Sequence, residues 1–194
     1  YQESKLEGEK LVLSYFTSGK LNGVVVRPVG IYGPEDDRFL KLFRHIYNGS
    51  FKMIGKGQAL YHLTYVEDLV EGIYLAGERD VSAAEIFTIG GNEYLPLHEL
   101  VTLLGKIMEK PVSKLKIPFL PVYVAAFCCE MICRPLGIEP PIFRRRLDFF
   151  TKDRAFDIAK AKKMLGYQPQ VALEEGLTRT YKWYKENGWL EKNG

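Results

Sequence analysis

The feature that most constrains the fold is a series of short apolar runs alternating with longer amphipathic segments. The run at 24–28, VVVRP, has three adjacent valines, which suits a strand buried on both faces, as in a parallel sheet. Further strands are predicted at 51–54, 61–66, 84–89 and 114–117, with helices between them. Strands that alternate with helices predict an α/β chain with mostly parallel pairing.

The helices are predicted from their apolar spacing and from the residues at their ends. They are expected at 1–17, 38–47, 67–78, 97–108, 142–150 and 173–187, with a short one that begins at 156 and is ended by Gly166. The segment 30–34, GIYGP, contains two glycines and a proline and is predicted to turn the chain.

Composition excludes several classes of function. The chain has 194 residues and a net charge of +3, and its basic residues are mostly interspersed with acids. No nucleic-acid partner is therefore expected. The cysteines Cys128, Cys129 and Cys133 are odd in number, clustered and far from any histidine. This pattern predicts a reducing, cytoplasmic location and no metal site.

The most apolar stretch lies at 117–133 and is interrupted by two prolines and Glu130. It is shorter than the ~20 apolar residues that a membrane span requires. We predict a buried or substrate-covering helix here, and a membrane-contacting helix is the alternative.

Tyr1 and Lys5 are four residues apart at the start of the first predicted helix, so they share one face. A nearby ammonium favours the phenolate, and a phenol with a lowered pKa can exchange a proton with a substrate oxygen. The alternative is a surface pair with no catalytic role. The helix has no capping residue before it, so we expect the chain to be part of a longer protein.

Four motifs in order resemble the extended short-chain dehydrogenase/reductase family, which includes NAD-dependent epimerases and dehydratases. They are YQESK at 1–5, RPVGIYGP at 27–34, TYVED at 64–68 and KAKKMLGYQP at 160–169. The chain resembles the C-terminal half of that family, beginning at the catalytic tyrosine. A glycine-rich strand–turn–helix for a pyrophosphate is not found, because neither Gly55-x-Gly57 nor Gly30-x-x-Gly33 has the required pattern.

The resemblance implies a Rossmann-like parallel sheet, with 1–35 and 60–92 as its remnant, and a mostly helical substrate-binding region at 36–59 and 93–194. It also implies a small-molecule substrate and NAD or NADP as the cofactor of the parent protein. Binding of that cofactor and activity are not expected from these 194 residues alone, because the cofactor-cradling half is not present. A non-enzymatic fragment that self-associates, for example as a homodimer, is the rival hypothesis.

The resemblance also assigns residues to the site. Tyr1 and Lys5 are expected to be catalytic and, together with Arg27, Pro28 and Val29, to contact the cofactor. Expected substrate contacts are Tyr32, Tyr61, His62 and Tyr65.

Three of these residues have a plain structural alternative. Arg27 could be paired with a carboxylate, Tyr32 could be a core aromatic, and His62 could be a hydrogen-bonded strand histidine. Asp68 is expected to be structural, as a carboxylate at a helix start.

The substrate is open between two classes. Nucleotide-sugar members commonly place a phosphate-binding arginine after the glycine-x-glycine turn, where this chain has Tyr61, followed by His62. The apolar stretch at 117–133 resembles members that act on sterol-like alcohols, as in a 3β-hydroxysteroid dehydrogenase.

Overall fold

The computed structural model describes residues 2–81, 83–113 and 115–191. The chain divides into two compact units. The first takes in the described residues up to Gly33, together with His62–Glu93 and Phe156–Gly176. The second comprises Pro34–Tyr61, Tyr94–Ala155 and the described residues from Leu177 onwards.

The predicted α/β class is confirmed, with eight helices and seven strands in the described residues. The helices are α1 (Gln2–Thr17), α2 (Leu40–Tyr47), α3 (Val66–Glu78), α4 (Leu97–Ile107), α5 (Phe119–Cys133), α6 (Arg144–Thr151), α7 (Ala159–Leu165) and α8 (Leu173–Glu186). The strands are β1 (Val25–Pro28), β2 (Gly30–Tyr32), β3 (Met53–Ile54), β4 (Leu60–Tyr65), β5 (Ile86–Ile89), β6 (Tyr94–Pro96) and β7 (Lys116–Ile117).

The first unit is built on parallel strand pairs. Strand β1 pairs with β5, and β2 pairs with β4. Between them, the amide of Val29 donates to the carbonyl of Ile89 at 3.0 Å as the chain passes from one pair to the next. The turn predicted at 30–34 is therefore wrong for residues 30–32, because that backbone finds strand partners despite its glycine content.

The core of the first unit surrounds β5. Phe87 and Ile89 are fully buried, and the neighbouring helices contribute further buried side chains. The rest of this core comprises Leu69 and Ala76 of α3, Ile158, Ala161 and Leu165 of or beside α7, and Tyr167. Helix α3 can approach β5 closely because it carries Gly72, where a Cβ would lie 2.7 Å from Cγ2 of Ile89.

The segment 156–176 belongs to the first unit because polar contacts join it to the loop after β5. The hydroxyl of Tyr167 donates to the carbonyl of Gly90 at 3.0 Å. The side-chain amide of Asn92 donates to the carbonyl of Pro169 at 2.9 Å. Helix α7 ends at Gly166, as predicted, in the left-handed conformation at φ +70°. The division drawn from sequence differs at this segment, which it assigned to the substrate-binding region.

The second unit is mostly helical. Strands β3 and β7 form a short parallel pair, and α2 and α4 contribute buried apolar faces. An aromatic cluster adds to the core: the ring of Tyr184 meets the ring of Phe43 edge-on at 5.0 Å and stacks on Trp189 at 5.8 Å. No helix among the described residues is long and apolar enough to span a membrane.

Two glycines on α3 provide a test of the close packing on β5. Gly72→Ala should lower the free energy of unfolding by about 1–3 kcal/mol, because the new methyl group would overlap the buried Ile89. Gly77→Ala is the matched control, since nothing lies within 4 Å of a Cβ there, and it should raise stability by about 0.4–1 kcal/mol. Denaturant titration measures both changes, and equal effects would contradict this account of the packing.

Candidate active site

Helix α1 carries the lysine of the predicted proton-transfer pair. Tyr1 lies outside the described residues. Glu9, Leu13 and Phe16 are half-buried, whereas the other residues of α1 whose burial is described are exposed. Lys5 is one turn before Glu9 and shares its face. The face of α1 that carries Lys5 is therefore the one turned towards the rest of the first unit.

An arginine–carboxylate pair joins α1 to strand β1. Arg27 donates from Nε to Oε2 of Glu9 at 2.8 Å and from Nη2 to Oε1 at 2.5 Å. This two-pronged hydrogen bond with the Arg27 guanidinium holds the pKa of the Glu9 carboxyl below its ordinary value. The structural alternative for Arg27 is thus observed, because its guanidinium holds the helix that carries Lys5.

The carboxyl end of β1 lies beside this pair. Pro28 ends the strand and is exposed, and Val29 follows it and is buried. In open α/β sheets, ligands bind outside the carboxyl ends of the strands. The ammonium group of Lys5 and the apolar side chains of Pro28 and Val29 are suited in chemical character to the nicotinamide riboside part of the expected cofactor.

The same residues do not fit its pyrophosphate. Gly30 lies within strand β2, and Gly55 and Gly57 lie between strands β3 and β4. Neither glycine pair opens a helix, so neither supplies the helix N-terminus that binds a pyrophosphate in such folds.

Tyr32 and Tyr65 are both buried in the first unit. Their rings meet edge-on, with centroids 5.6 Å apart. The Tyr32 hydroxyl is so close to α8 that a Cβ at Gly176 would lie 2.2 Å from it. Burial raises the pKa of Tyr32 above its ordinary value, so this phenol stays neutral and does not suit a general base. The predicted substrate contacts of both tyrosines remain predictions.

His62 is also buried and is hydrogen-bonded on both sides of its ring. Its Nε2 lies 2.8 Å from the carbonyl oxygen of Gly91, and its Nδ1 lies 3.4 Å from the amide nitrogen of Phe156. The Gly91 carbonyl accepts a hydrogen bond, and the Phe156 amide donates one to Nδ1. His62 thereby links three segments of the first unit, and its predicted substrate contact is not tested.

Tyr61 has its hydroxyl occupied within the second unit. It donates to the carbonyl of Phe149 at 2.6 Å and accepts from Nη1 of Arg154 at 2.9 Å. The guanidinium of Arg154 also lies 5.2 Å from the Tyr61 ring centre and donates to the carbonyl of Asp148 at 3.1 Å. Sequence reasoning missed Arg154, because no motif marks it and its partner is 93 residues earlier in the chain.

Asp68 is the buried carboxylate expected to be structural. Its Oδ1 accepts from the amide of Gln170 at 2.8 Å, and its Oδ2 accepts from the amide of Val171 at 3.2 Å. The carboxylate thus fixes the loop before α8, and its location at the start of α3 is also favourable for the helix dipole. In the part of the chain that the structure describes, no group of three or more potential metal ligands is present.

Comparison with known proteins identifies similar chains. The model of the NAD dependent epimerase/dehydratase family matches residues 1–90. The chain is 31% identical to 3beta-hydroxysteroid-dehydrogenase/decarboxylase isoform 1 of Arabidopsis thaliana, over 93% of this chain and 44% of that protein. It is 29% identical to the decarboxylating sterol-4-alpha-carboxylate 3-dehydrogenase of Saccharomyces cerevisiae, over 96% of this chain and 56% of that protein.

A solved structure shares the fold. It is that of DesIV, a dTDP-glucose 4,6-dehydratase from Streptomyces venezuelae with NAD and TYD bound, at 25% identity and a TM-score of 0.70. The match covers 97% of this chain and 52% of DesIV. The chain thus spans about half the length of the proteins that it matches.

The pair of Arg27 and Glu9 predicts a pH-dependent attachment of α1. Because the pKa of Glu9 is lowered in the folded state, the pair stabilises the fold above the ordinary glutamate pKa, and this contribution is lost as pH falls through the lowered value. Glu9→Gln should speed amide hydrogen exchange in α1 at neutral pH by up to about fivefold, since exposed pairs contribute about 0.2–1 kcal/mol.

The exposed Glu7→Gln on the same helix serves as the control and should leave this exchange unchanged. Acidification should lower the protection factor of α1, which is the exchange rate of an unstructured peptide at the same pH divided by that of the helix, in the unmodified chain, whereas the protection factor of Glu9→Gln should respond little. An identical acid response in the two chains would contradict the attachment.

Proposed function

Because residues 1–90 match the model of the NAD dependent epimerase/dehydratase family and the chain is similar to sterol dehydrogenases, we propose that it is part of an NAD(P)-dependent oxidoreductase that acts on a hydroxyl- or keto-bearing carbon. The observation that carries this proposal is the two-pronged hydrogen bond between Arg27 and Glu9. This hydrogen bond attaches α1, which carries Lys5, to strand β1. The carboxyl end of β1 corresponds to the segment that lies beside the nicotinamide in the family that the chain resembles.

Each residue of the proposed site has a role suited to its chemistry. Tyr1 gives or takes the proton at the substrate oxygen. The Lys5 ammonium favours the phenolate and donates a hydrogen bond to the cofactor ribose. Pro28 and Val29 cover the nicotinamide, and Arg27 positions α1. When bound, the nicotinamide accepts or supplies the hydride.

These 194 residues are not expected to turn over substrate by themselves. The sequence holds no glycine-rich strand-to-helix turn, and such a turn binds the pyrophosphate of a dinucleotide. We propose that this binding is supplied by further residues of the parent protein.

For the substrate, we propose an apolar, sterol-like alcohol in preference to a nucleotide sugar. The Tyr61 hydroxyl occupies the place of the expected phosphate-binding arginine and is committed to Phe149 and Arg154. A hydroxyl used in this way cannot replace a two-pronged arginine contact to phosphate. The names of the relatives from Arabidopsis and yeast support the same class.

The test is turnover by the longest natural polypeptide that contains these 194 residues. It should reduce NAD or NADP with a 3β-hydroxysterol, measured by absorbance of the reduced nicotinamide, and should not convert UDP-glucose. Turnover of UDP-glucose alone would contradict the substrate class, and no reduction with any secondary alcohol would contradict the proposed reaction.

Replacing two lysines of α1 one at a time distinguishes a catalytic role of Lys5 from a general effect of losing a positive charge on the helix. Lys5→Met should lower kcat by about 100-fold or more, as expected for lost acid–base catalysis. It should also move the pH profile of alcohol oxidation to higher pH, because the phenol loses the cation that favours its ionised form. Lys10→Met removes the same single charge from an exposed position of α1 and should behave as the unmodified protein. Equal effects of the two variants would refute the role of Lys5.

A further inference from the structure

Helix α5 has a row of exposed apolar side chains along one face. Leu120, Val124, Phe127 and Met131 follow the spacing i, i+4, i+7 and i+11, which places them on one side of a helix. Their exposed fractions lie between 42% and 69%. We call these four residues the α5 stripe. Ala126 and Glu130 are the buried residues of the helix, and Ile132, on a different side from the stripe, is exposed as well.

Exposed apolar side chains also follow the helix in sequence. Leu136, Ile138 and Ile142 in the segment between α5 and α6 are also exposed. Monomeric proteins rarely leave a large, contiguous apolar surface without a use. The buried helix predicted from sequence is therefore not what the structure shows.

Basic side chains surround this apolar surface. The guanidinium of Arg144 lies 5.1 Å from the ring centre of Phe127 in the stripe. The buried carboxylate of Glu130 pairs with Arg144 at 3.0 Å and with Arg134 at 3.2 Å. Arg145 and Arg146, next in sequence, are exposed. Glu130 is turned inwards, and the guanidinium groups of Arg134 and Arg144 lie beside Phe127 and Met131 of the stripe. Glu139, in the segment between α5 and α6, is exposed.

The charge of the chain is concentrated in this region. Residues 115–152 contain six basic and three acidic residues. This surplus equals the net charge of +3 of the entire chain, so the remaining residues are balanced overall. The apolar surface of α5 therefore coincides with the net positive charge of the chain.

Helix α3 also has an exposed apolar face, but the charged residues beside it are acidic. Its outward face also exposes apolar side chains, namely Val70, Ile73 and Tyr74, with exposed fractions between 51% and 61%. The exposed neighbours of that face include Glu67 and Glu71, so it would be repelled by an anionic surface. An apolar stripe with basic neighbours is a property of α5 and not of α3.

We propose that the α5 stripe and its arginines bind the surface of an anionic lipid bilayer. Helix α5 would lie in the plane of the interface with the apolar side chains of the stripe among the acyl chains, and the basic groups would come from Arg134 and from α6 instead of from α5 itself. The arginines would contact the lipid phosphates. Since no described helix is long enough to cross a membrane, α5 binds at the surface. Binding needs neither cofactor nor turnover, so it stands independently of the proposed oxidoreductase function.

Vesicle flotation with the longest natural polypeptide that contains these 194 residues tests the proposal. The chain should float with vesicles of phosphatidylcholine and phosphatidylserine in equal amounts and should remain unbound with phosphatidylcholine alone. Raised salt should reduce the bound fraction, because screening weakens the arginine contribution. Leu120→Glu combined with Met131→Glu should abolish binding. Arg145→Ala combined with Arg146→Ala should weaken it by roughly tenfold or more.

The matched control is Val70→Glu combined with Ile73→Glu on α3, which should bind vesicles as the unmodified chain does. Circular dichroism verifies that each variant is folded. Failure of the unmodified chain to float, equal binding to the two vesicle types, or an equal loss in the α3 control would overturn the proposal. It would also be overturned if light scattering showed a dimer that Leu120→Glu with Met131→Glu dissociates, because a second copy would then cover the stripe.

Discussion

The close packing of helix α3 on strand β5 is the constraint on which the first unit depends. Gly72 lets the helix approach the fully buried Ile89, and α7 adds Ala161 and Leu165 to the same core. Once β5 is held in this way, its parallel partner β1 is fixed in register. The carboxyl end of β1, where we propose that the cofactor binds, is thus positioned by the packing of α3 on β5, which lies away from the proposed reacting groups.

Three polar side chains in or beside the sequence motifs hold the chain together in this structure. Asp68 fixes the loop before α8, His62 links three segments, and Arg27 anchors α1. Buried polar groups that keep such partners are costly to disrupt. A motif residue can therefore serve the reaction indirectly, by positioning the backbone that carries the reacting groups.

The proposed substrate class and the proposed lipid surface are physically compatible. A sterol-like alcohol partitions into bilayers because its apolar area is removed from water there. A protein that lies on the bilayer through α5 would meet such a substrate at high local concentration. The ion pair of the buried Glu130 with Arg144 supports this arrangement, because it turns the one charged side chain of α5 inwards.

The sequence by itself determined the α/β class, the positions of all eight helices to within a few residues, the end of α7 at Gly166 and the resemblance to the NAD-dependent epimerase/dehydratase family. These features depend on local periodicity and on motifs that are continuous in the chain. Tertiary structure alone decided that residues 30–32 and 94–96 form strands, that segment 156–176 joins the first unit, that Arg154 holds Tyr61, and that α5 is exposed. Each of these features is set by which residues, dozens of positions away in sequence, do or do not contact the segment. A local sequence pattern contains no information about such contacts.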